Sequence, residues 1–169
     1  LGIPTPAGVR VVPVTTTADL ADVMTAETAG ADIVVMAAAP ADFTPVSPSA
    51  TKLKKSGDAG LVVEFTQTTD VLAALVASRS AGQVVVGFAA ETAADEAELV
   101  ALGTAKLARK GCQLLVLNDV SGGAVFGAPD NRVLLLSPDG VQGRAAGTKT
   151  TVAHAILRAA ITVKEGMPA

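Results

Sequence analysis

The segment that most restricts the fold runs from residue 32 to 55 and reads DIVVMAAAPADFTPVSPSATKLKK. It begins with an unbroken apolar run, Ile33 to Met36, which predicts a strand buried on both faces. Three alanines follow, and Pro40 ends the strand. Asp42 comes next, and a proline-containing loop leads to Lys52 and its neighbours. Small residues, an acid and lysines after a buried strand favour a ligand that lies across the carboxyl edge of a parallel sheet, with the lysines neutralising phosphate.

The remaining segments alternate between apolar strands and amphipathic helices. A hairpin is predicted at 131–144, around the turn Pro138-Asp139-Gly140. This order predicts one α/β domain over residues 1–169, with three layers, a mostly parallel sheet and a C-terminal antiparallel hairpin. The other strands are predicted at 9–14, 33–36, 61–65, 83–89 and 114–117, and the helices at 18–29, 70–78, 93–109 and 151–163.

Local signals predict where the helices begin and end. One of the threonines at 15–17 is expected to cap the first helix, and Thr68 or Thr69 the second. Gly30 and Gly111 are expected to end the first and third helices, because glycine readily adopts the left-handed conformation found there.

The composition argues against several classes of function. No apolar run reaches the roughly 18 residues of a membrane span, and no signal-peptide pattern opens the chain. A net charge of -3 and 2% aromatic residues argue against a nucleic-acid surface. A single cysteine, Cys112, fits a reducing cytoplasm, and with one histidine, His154, no catalytic triad or metal cluster can be built. Because the chain begins at Leu1, we expect a fragment of a longer polypeptide.

Two further motifs carry candidate functional residues. In VGFAAET, residues 86–92, either Gly87 lets a helix approach and Glu91 begins the next helix, or Phe88 faces the same sheet edge as Asp42. In KLARK, residues 106–110, the two lysines are four residues apart and so share one helical face. Cations are favoured at a helix C-terminus whether they face water or a ligand, so the spacing alone leaves both interpretations open.

These motifs resemble those of the phosphopantothenate–cysteine ligases (phosphopantothenoylcysteine synthetases) of coenzyme A biosynthesis. AAPADF at 38–43 and KLKK at 52–55 keep the order and spacing of the family's Ala-Ala-Val-Ala-Asp-(aromatic) and Lys-x-Lys-Lys runs, with Pro40 in place of valine. VGFAAET matches all seven positions of the family motif. The family's opening strand and Gly-Gly-Thr loop do not occur, so an N-terminally truncated ligase domain is expected.

The resemblance implies a Rossmann-like fold and a ligase that joins 4'-phosphopantothenate to L-cysteine. In that reaction the substrate carboxylate attacks the α-phosphate of CTP, with Mg2+ present, and the cysteine amine then displaces CMP from the acyl-cytidylate. CTP rather than ATP follows from the bacterial family type, not from any residue in this sequence. The resemblance also implies a homodimer. For bacteria it implies an FMN-dependent decarboxylase domain in the same cytoplasmic polypeptide.

The resemblance also implies roles for individual residues. Lys52 would be the catalytic cation, Phe88 would border the nucleotide base, and Asp42 would hold either the ribose hydroxyls or Mg2+. Gln113 departs from the family, which has aspartate there. The nucleotide site would comprise Met36, Ala37, Ala38, Asp42, Lys52, Thr69, Asp70, Val71, Leu72, Phe88, Lys106 and Lys110, and a substrate and dimer loop would include Asn118, Asp119, Phe126 and Asn131.

Two functions from other classes remain open at this point. A dinucleotide-dependent oxidoreductase would need a G-x-G-x-x-G turn, which this sequence does not contain. A non-catalytic dimerisation module would bind no nucleotide. Titration with CTP, ATP and NAD separates the three.

Overall fold

The computed structural model describes residues 5–54, 60–120 and 130–167. Helices and strands alternate along these ranges, as the apolar pattern predicts. In chain order the elements are α1 (Thr17–Glu27), β1 (Ile33–Met36), β2 (Phe43–Pro45), β3 (Phe65–Gln67), α2 (Val71–Ser78), β4 (Val84–Glu91), α3 (Glu96–Lys110), β5 (Leu114–Asp119), β6 (Asp130–Ser137), β7 (Gly140–Thr148) and α4 (Lys149–Glu165).

The main sheet has five strands in the order β1-β4-β5-β6-β7. β1, β4 and β5 are parallel, whereas β6 runs antiparallel to β5 and pairs with β7 as a hairpin. Side chains of α1, α2 and α3 pack on one face of the sheet, and those of α4 pack on the other. The predicted three-layer α/β fold with a C-terminal antiparallel hairpin is therefore confirmed.

The middle strands have continuous apolar sequences because both of their faces are covered. Val85 and Leu115 belong to the core under α1–α3, and Val86 and Leu114 to the core under α4. All four side chains are inaccessible to solvent. Gly103 brings α3 close to the sheet, since a Cβ at this position would lie 2.2 Å from a methyl carbon of Leu117.

β2 and β3 form a separate two-stranded antiparallel sheet in which Thr44 pairs with Thr66. The strand predicted at 61–65 is wrong except for Phe65, which opens β3. Residues 61–63 have the composition of a strand, but Val62 is 95% exposed. The strand propensity of these residues does not produce a strand, because no neighbouring strand of the described chain pairs with or covers this segment.

The strand predicted at 9–14 is also wrong. In the structure these residues are exposed and outside any strand, and Val11 is 64% exposed. Pro13 cannot donate a ladder hydrogen bond, and within the described ranges β1 pairs only with β4. The apolar composition of the segment gave a strand signal that no pairing supports.

Two predicted helix ends are confirmed. Thr16 caps α1 through a capping box, in which its hydroxyl accepts from Asp19 N at 3.0 Å and the Asp19 carboxylate accepts from Thr16 N at 2.9 Å. Gly111 ends α3 in the left-handed conformation with φ of 72°. None of the helices in the described ranges combines the length and the apolar character needed to cross a membrane.

Other helix ends differ from the prediction. α1 stops at Glu27, with Thr28 as its C-cap, and so ends before Gly30. The cap of α2 is Asp70 rather than either preceding threonine. α3 is capped by Asp95 and begins later than predicted, so Glu91 belongs to β4 and not to the helix. Aspartate occupies the N-cap position of both α2 and α3, because it ranks among the best N-cap residues.

Candidate functional site

A cleft of about 730 Å³ lies at the carboxyl ends of β1 and β4, between the start of α2 and the last turns of α3. Small residues form its floor: Ala37 and Ala38 follow β1, and Ala89 and Ala90 belong to β4. Open α/β sheets bind ligands at the carboxyl edge of their strands. The cleft therefore lies at the sheet edge that the sequence pattern indicated.

The loop after β1 is fixed to the residues that precede α2. Thr68 N donates to the carbonyl of Asp42 at 2.9 Å, and the Thr68 hydroxyl donates to the carbonyl of Ala41 at 2.6 Å. These two bonds continue the pairing of β2 with β3. They bring Asp42 to the same wall of the cleft as Thr69 and Asp70.

Asp70 performs two tasks at the start of α2. One carboxylate oxygen accepts from Ala73 N at 3.1 Å and caps the helix, and the other pairs with Lys110. Burial alone would raise the pKa of Asp70, but its hydrogen bonds with Lys110 and Ala73 outweigh burial. The positive charges of Lys110 and Arg109 also lower the pKa of Asp70, so this pKa lies below its ordinary value. The carboxylate is ionised at neutral pH and holds Lys110 against the cleft.

Phe88 of β4 lines the cleft, and its neighbour Gly87 determines how closely α2 approaches the sheet. A Cβ on Gly87 would lie 2.8 Å from a methyl carbon of Leu72, so glycine is required for α2 to approach the sheet this closely. Phe88 packs against the core under α4 while its ring remains partly exposed at the cleft. The two interpretations of the VGFAAET motif are therefore each confirmed in part: the glycine permits helix packing and the phenylalanine lines the cleft, but Glu91 does not begin the next helix.

Three cations from the last turns of α3 line the opposite wall. Lys106 forms an ion pair with Glu91 at the end of β4, and Lys110 pairs with Asp70. The side chains of Lys106 and Lys110 are only 29% and 19% exposed, so they lie in the cleft rather than extending into water. Arg109, three residues from Lys106, also lines the cleft, although sequence reasoning did not include it in the site.

The end of β5 contributes a polar edge. Asn118 lines the cleft and accepts a hydrogen bond at 3.1 Å from the side-chain amide of Asn131, which the pairing of β5 with β6 brings alongside. Asp119, the last residue of β5, is in register with Glu91. Phe126, which was predicted for the same loop, lies outside the described residues.

Most of the predicted site residues come together in the cleft lining, but Lys52, Asp119 and Asn131 do not belong to it. Lys52 lies on an exposed segment and is not among the residues that line the cleft, so its catalytic role stays a prediction. The predicted residues found in the lining are Met36, Ala37, Ala38, Asp42, Thr69, Asp70, Val71, Leu72, Phe88, Lys106, Lys110 and Asn118, and those that were missed are Ala39, Pro40, Thr68, Ala89, Ala90, Arg109 and Leu115.

Cys112 and His154 are not among the residues that line the cleft. Cys112 is buried, and burial raises the pKa of its thiol, which keeps it protonated. His154 is exposed on α4. Across the described ranges no group of three or more histidine, cysteine or acidic side chains is close enough to hold a metal ion.

Residues 1–163 match the family model described as the DNA/pantothenate metabolism flavoprotein C-terminal domain. The coenzyme A biosynthesis bifunctional protein CoaBC of Mycobacterium tuberculosis is 40% identical over 171 residues, which cover 98% of this chain and 41% of that protein. CoaBC of Bacillus subtilis is 38% identical over 130 residues, or 76% of this chain and 30% of that protein. This chain therefore spans less than half the length of these relatives.

Solved structures show the same fold. The C-terminal domain of CoaBC matches with a TM-score of 0.69 and 25% identity, over 97% of this chain and 71% of that chain. A Cab2 mutant in complex with phosphopantothenate-cysteine matches with a TM-score of 0.55 and 23% identity, over 79% of this chain and 44% of that chain. The resemblance drawn from the motifs is confirmed. The family-model match over residues 1–163, together with the fold and the cleft of this chain, establishes that the chain belongs to the DNA/pantothenate metabolism flavoprotein C-terminal domain family.

Proposed function

We propose that this chain is the phosphopantothenate–cysteine ligase part of a bifunctional enzyme of coenzyme A biosynthesis, and that its cleft binds CTP. The observation that carries the proposal is the convergence of Asp42, Phe88, Lys106 and Lys110 on one cleft of about 730 Å³, a volume that suits a nucleotide. The names of the relatives, CoaBC and Cab2 with phosphopantothenate-cysteine, agree with this activity.

The cleft offers a different contact for each part of the nucleotide. The partly exposed ring of Phe88 covers the base, because every base has a flat face that stacks on an aromatic ring. The cations of α3 take the phosphates, with Arg109 suited to bidentate contacts. Asp42, held by Thr68, either accepts the ribose hydroxyls or contacts Mg2+.

The charge of the cleft indicates that further cations take part in the reaction. Lys106, Arg109 and Lys110 are accompanied in the lining by the carboxylates of Asp42 and Asp70. The resulting excess of one positive charge is smaller than the several negative charges of a triphosphate. Mg2+ suits this site, because it is usually bound through substrate phosphates and one or two carboxylates, and it would neutralise charge on the phosphates. Lys52 would supply another cation.

The chemistry requires an activated carboxyl group, because the oxygen of a free carboxylate is a poor leaving group. A carboxylate oxygen of 4'-phosphopantothenate attacks the α-phosphorus of CTP, and pyrophosphate leaves. The cysteine amine then attacks the acyl carbonyl carbon, loses a proton and expels CMP, which leaves the amide. Positioned cations lower the barrier of the first step by stabilising charge that develops on phosphate. We assign this task to Lys52, with Lys106 and Lys110 holding the nucleotide.

The polypeptide partner is proposed from the relatives. CoaBC proteins are bifunctional by name and more than twice the length that this chain matches. We propose that an FMN-dependent decarboxylase domain shares the full-length polypeptide with this chain.

A homodimer formed through the β6–β7 hairpin and residues 119–131 is proposed as the assembly. The exposed apolar side chain of Val141 on β7 fits such a contact. Light scattering should give twice the monomer mass at micromolar concentrations, and a monomer up to millimolar protein would contradict the dimer.

The activity is tested with the full-length polypeptide that contains this chain. CTP, 4'-phosphopantothenate and cysteine should yield pyrophosphate, CMP and 4'-phosphopantothenoylcysteine in equal amounts, measured by mass spectrometry. Omitting cysteine should still allow one equivalent of pyrophosphate in a single turnover. Formation of the product without consumption of any nucleotide would contradict the mechanism, and a product formed only with ATP would contradict the choice of CTP.

A further inference from the structure

We infer that Glu91 is a positioning residue that fixes the Lys106 ammonium for contact with phosphate. The inference rests on the proposed nucleotide site and adds to it a residue that does not itself line the cleft. Glu91 is the last residue of β4 and forms an ion pair with Lys106 on α3. The pair connects the sheet to the helix beside the cleft.

Both ends of this pair are attached to fixed backbone. The Glu91 carbonyl accepts a hydrogen bond from Val120 N at 2.9 Å, and Glu91 is in register with Asp119 of β5. Lys106 lies in the interior of α3, which Gly111 ends in a left-handed cap. Between the two backbones, the lysine side chain is the longer and the more exposed of the two, so its contact with the carboxylate restricts where the ammonium lies.

The Glu91 carboxylate has little contact with water. Its side chain is 20% exposed, and its Oε1 atom, which contacts Lys106, is inaccessible to solvent. A carboxylate removed from water requires a charged partner, since an unpaired buried charge is strongly unfavourable. Lys106 therefore remains at Glu91 in the absence of ligand, and its side chain is ordered before a nucleotide arrives.

The ion pair of Lys110 with Asp70 differs from it in two ways, namely the exposure of the carboxylate and the number of contacts that the carboxylate makes. The Asp70 side chain is 49% exposed, and its carboxylate also caps α2 by accepting from Ala73 N. Asp70 thus has a structural task that is independent of the lysine. The position of Glu91 at the strand end, by contrast, is explained by its contact with Lys106.

An ammonium group has three donors, so Lys106 can keep Glu91 and still donate to a phosphate oxygen. Two effects of Glu91 then oppose each other. Its charge repels phosphate, while its contact removes the rotamer freedom that an unpaired lysine would lose on binding. Pre-ordering predicts that loss of Glu91 weakens CTP binding, whereas repulsion predicts that the same loss strengthens it, so the sign of the change decides between them.

The test is a double-mutant cycle for CTP binding, measured by calorimetry on the full-length protein. Glu91→Gln should weaken binding by about 2- to 150-fold, the range of coupling between side chains in direct contact. In a Lys106→Gln background the same substitution should cause no further loss, which a merely structural role of Glu91 would not predict. Glu91→Asp keeps the charge but is one methylene shorter, and it should also weaken binding.

The controls separate this inference from the function on which it rests. Asp22→Asn on α1 makes the same change of charge at an exposed residue outside the cleft lining and should leave CTP affinity unchanged. If Glu91→Gln binds CTP as tightly as the unaltered protein or more tightly, or loses affinity equally in both backgrounds, the positioning role is refuted while the nucleotide site stands. If the unaltered protein binds no CTP, the proposed function fails and the inference fails with it.

Discussion

Gly87→Ala tests the close approach of α2 to β4. The added Cβ would lie 2.8 Å from a methyl carbon of Leu72, 3.2 Å from the sulfur of Cys112 and 3.3 Å from a methyl carbon of Leu115. Gly87 does not have a positive φ, so alanine fits its backbone and the destabilising contribution comes from packing. Carbon atoms pack at about 3.5–4.0 Å, so Leu72 would have to move by about 0.7 Å or more.

The expected magnitude follows from two opposing contributions. Overpacking a core costs about 1–3 kcal/mol, and three simultaneous tight contacts favour the upper part of that range. Replacing glycine by alanine recovers about 0.4–1 kcal/mol by restricting the unfolded chain. The net loss of unfolding free energy is about 1–2.5 kcal/mol, which lowers the midpoint of thermal unfolding by about 2–10 °C for a chain of this size.

The assay is thermal unfolding followed by circular dichroism, with Gly143→Ala as the matched control. Gly143 also lies in a strand without a positive φ, but no heavy atom lies within 4 Å of a Cβ at that position. The control should therefore unfold at the same temperature as the unaltered chain or up to about 4 °C higher. An unfolding midpoint of Gly87→Ala at or above that of the unaltered chain would refute the packing argument.

Three further predictions test the site. Phe88→Ala should weaken CTP binding by about 1–3 kcal/mol in calorimetry, and an unchanged dissociation constant in a folded variant would remove Phe88 from the site. Lys52→Gln should cut single-turnover acyl-cytidylate formation by roughly 100- to 1,000-fold and Lys55→Gln much less; a defect that saturating CTP rescues would contradict a role in the transition state. Asp70→Asn should lower the unfolding free energy at neutral pH. Because the folded-state pKa of Asp70 is lowered, its contribution is complete above the unfolded value of about 3.9 and is lost as pH falls through the folded value, so the two proteins should converge in acid. A constant difference down to about pH 2 would contradict this assignment.

Sequence reasoning worked where the local pattern and the packing agree. β4 and β5 have unbroken apolar sequences, and in the structure both lie between two layers of helices. Gly111 was identified as the end of α3 because its left-handed conformation is a local property of the chain. Asp42 and Phe88 line one cleft because the carboxyl ends of parallel strands share an edge, whereas Lys52 is not part of that lining.

The errors arose where tertiary contacts decide the outcome. Residues 9–14 and 61–63 have the composition of strands, but a strand also needs a partner. The contact of Asp70 with Lys110 joins residues that are 40 positions apart, and no periodicity predicts such a pair. Arg109 was passed over because the family pattern names only the two lysines, although its helical spacing from Lys106 was visible in the sequence.

The most direct test of the nucleotide site is calorimetric titration of this chain with CTP, ATP and NAD, repeated with the Lys106→Gln variant. We predict saturable binding of one CTP per chain, no binding of NAD, and a clear loss of CTP affinity in the variant. Binding of NAD without CTP would indicate an oxidoreductase domain, and the absence of any nucleotide binding would indicate a non-catalytic module. CTP affinity that is unchanged by Lys106→Gln would contradict the assignment of this cleft.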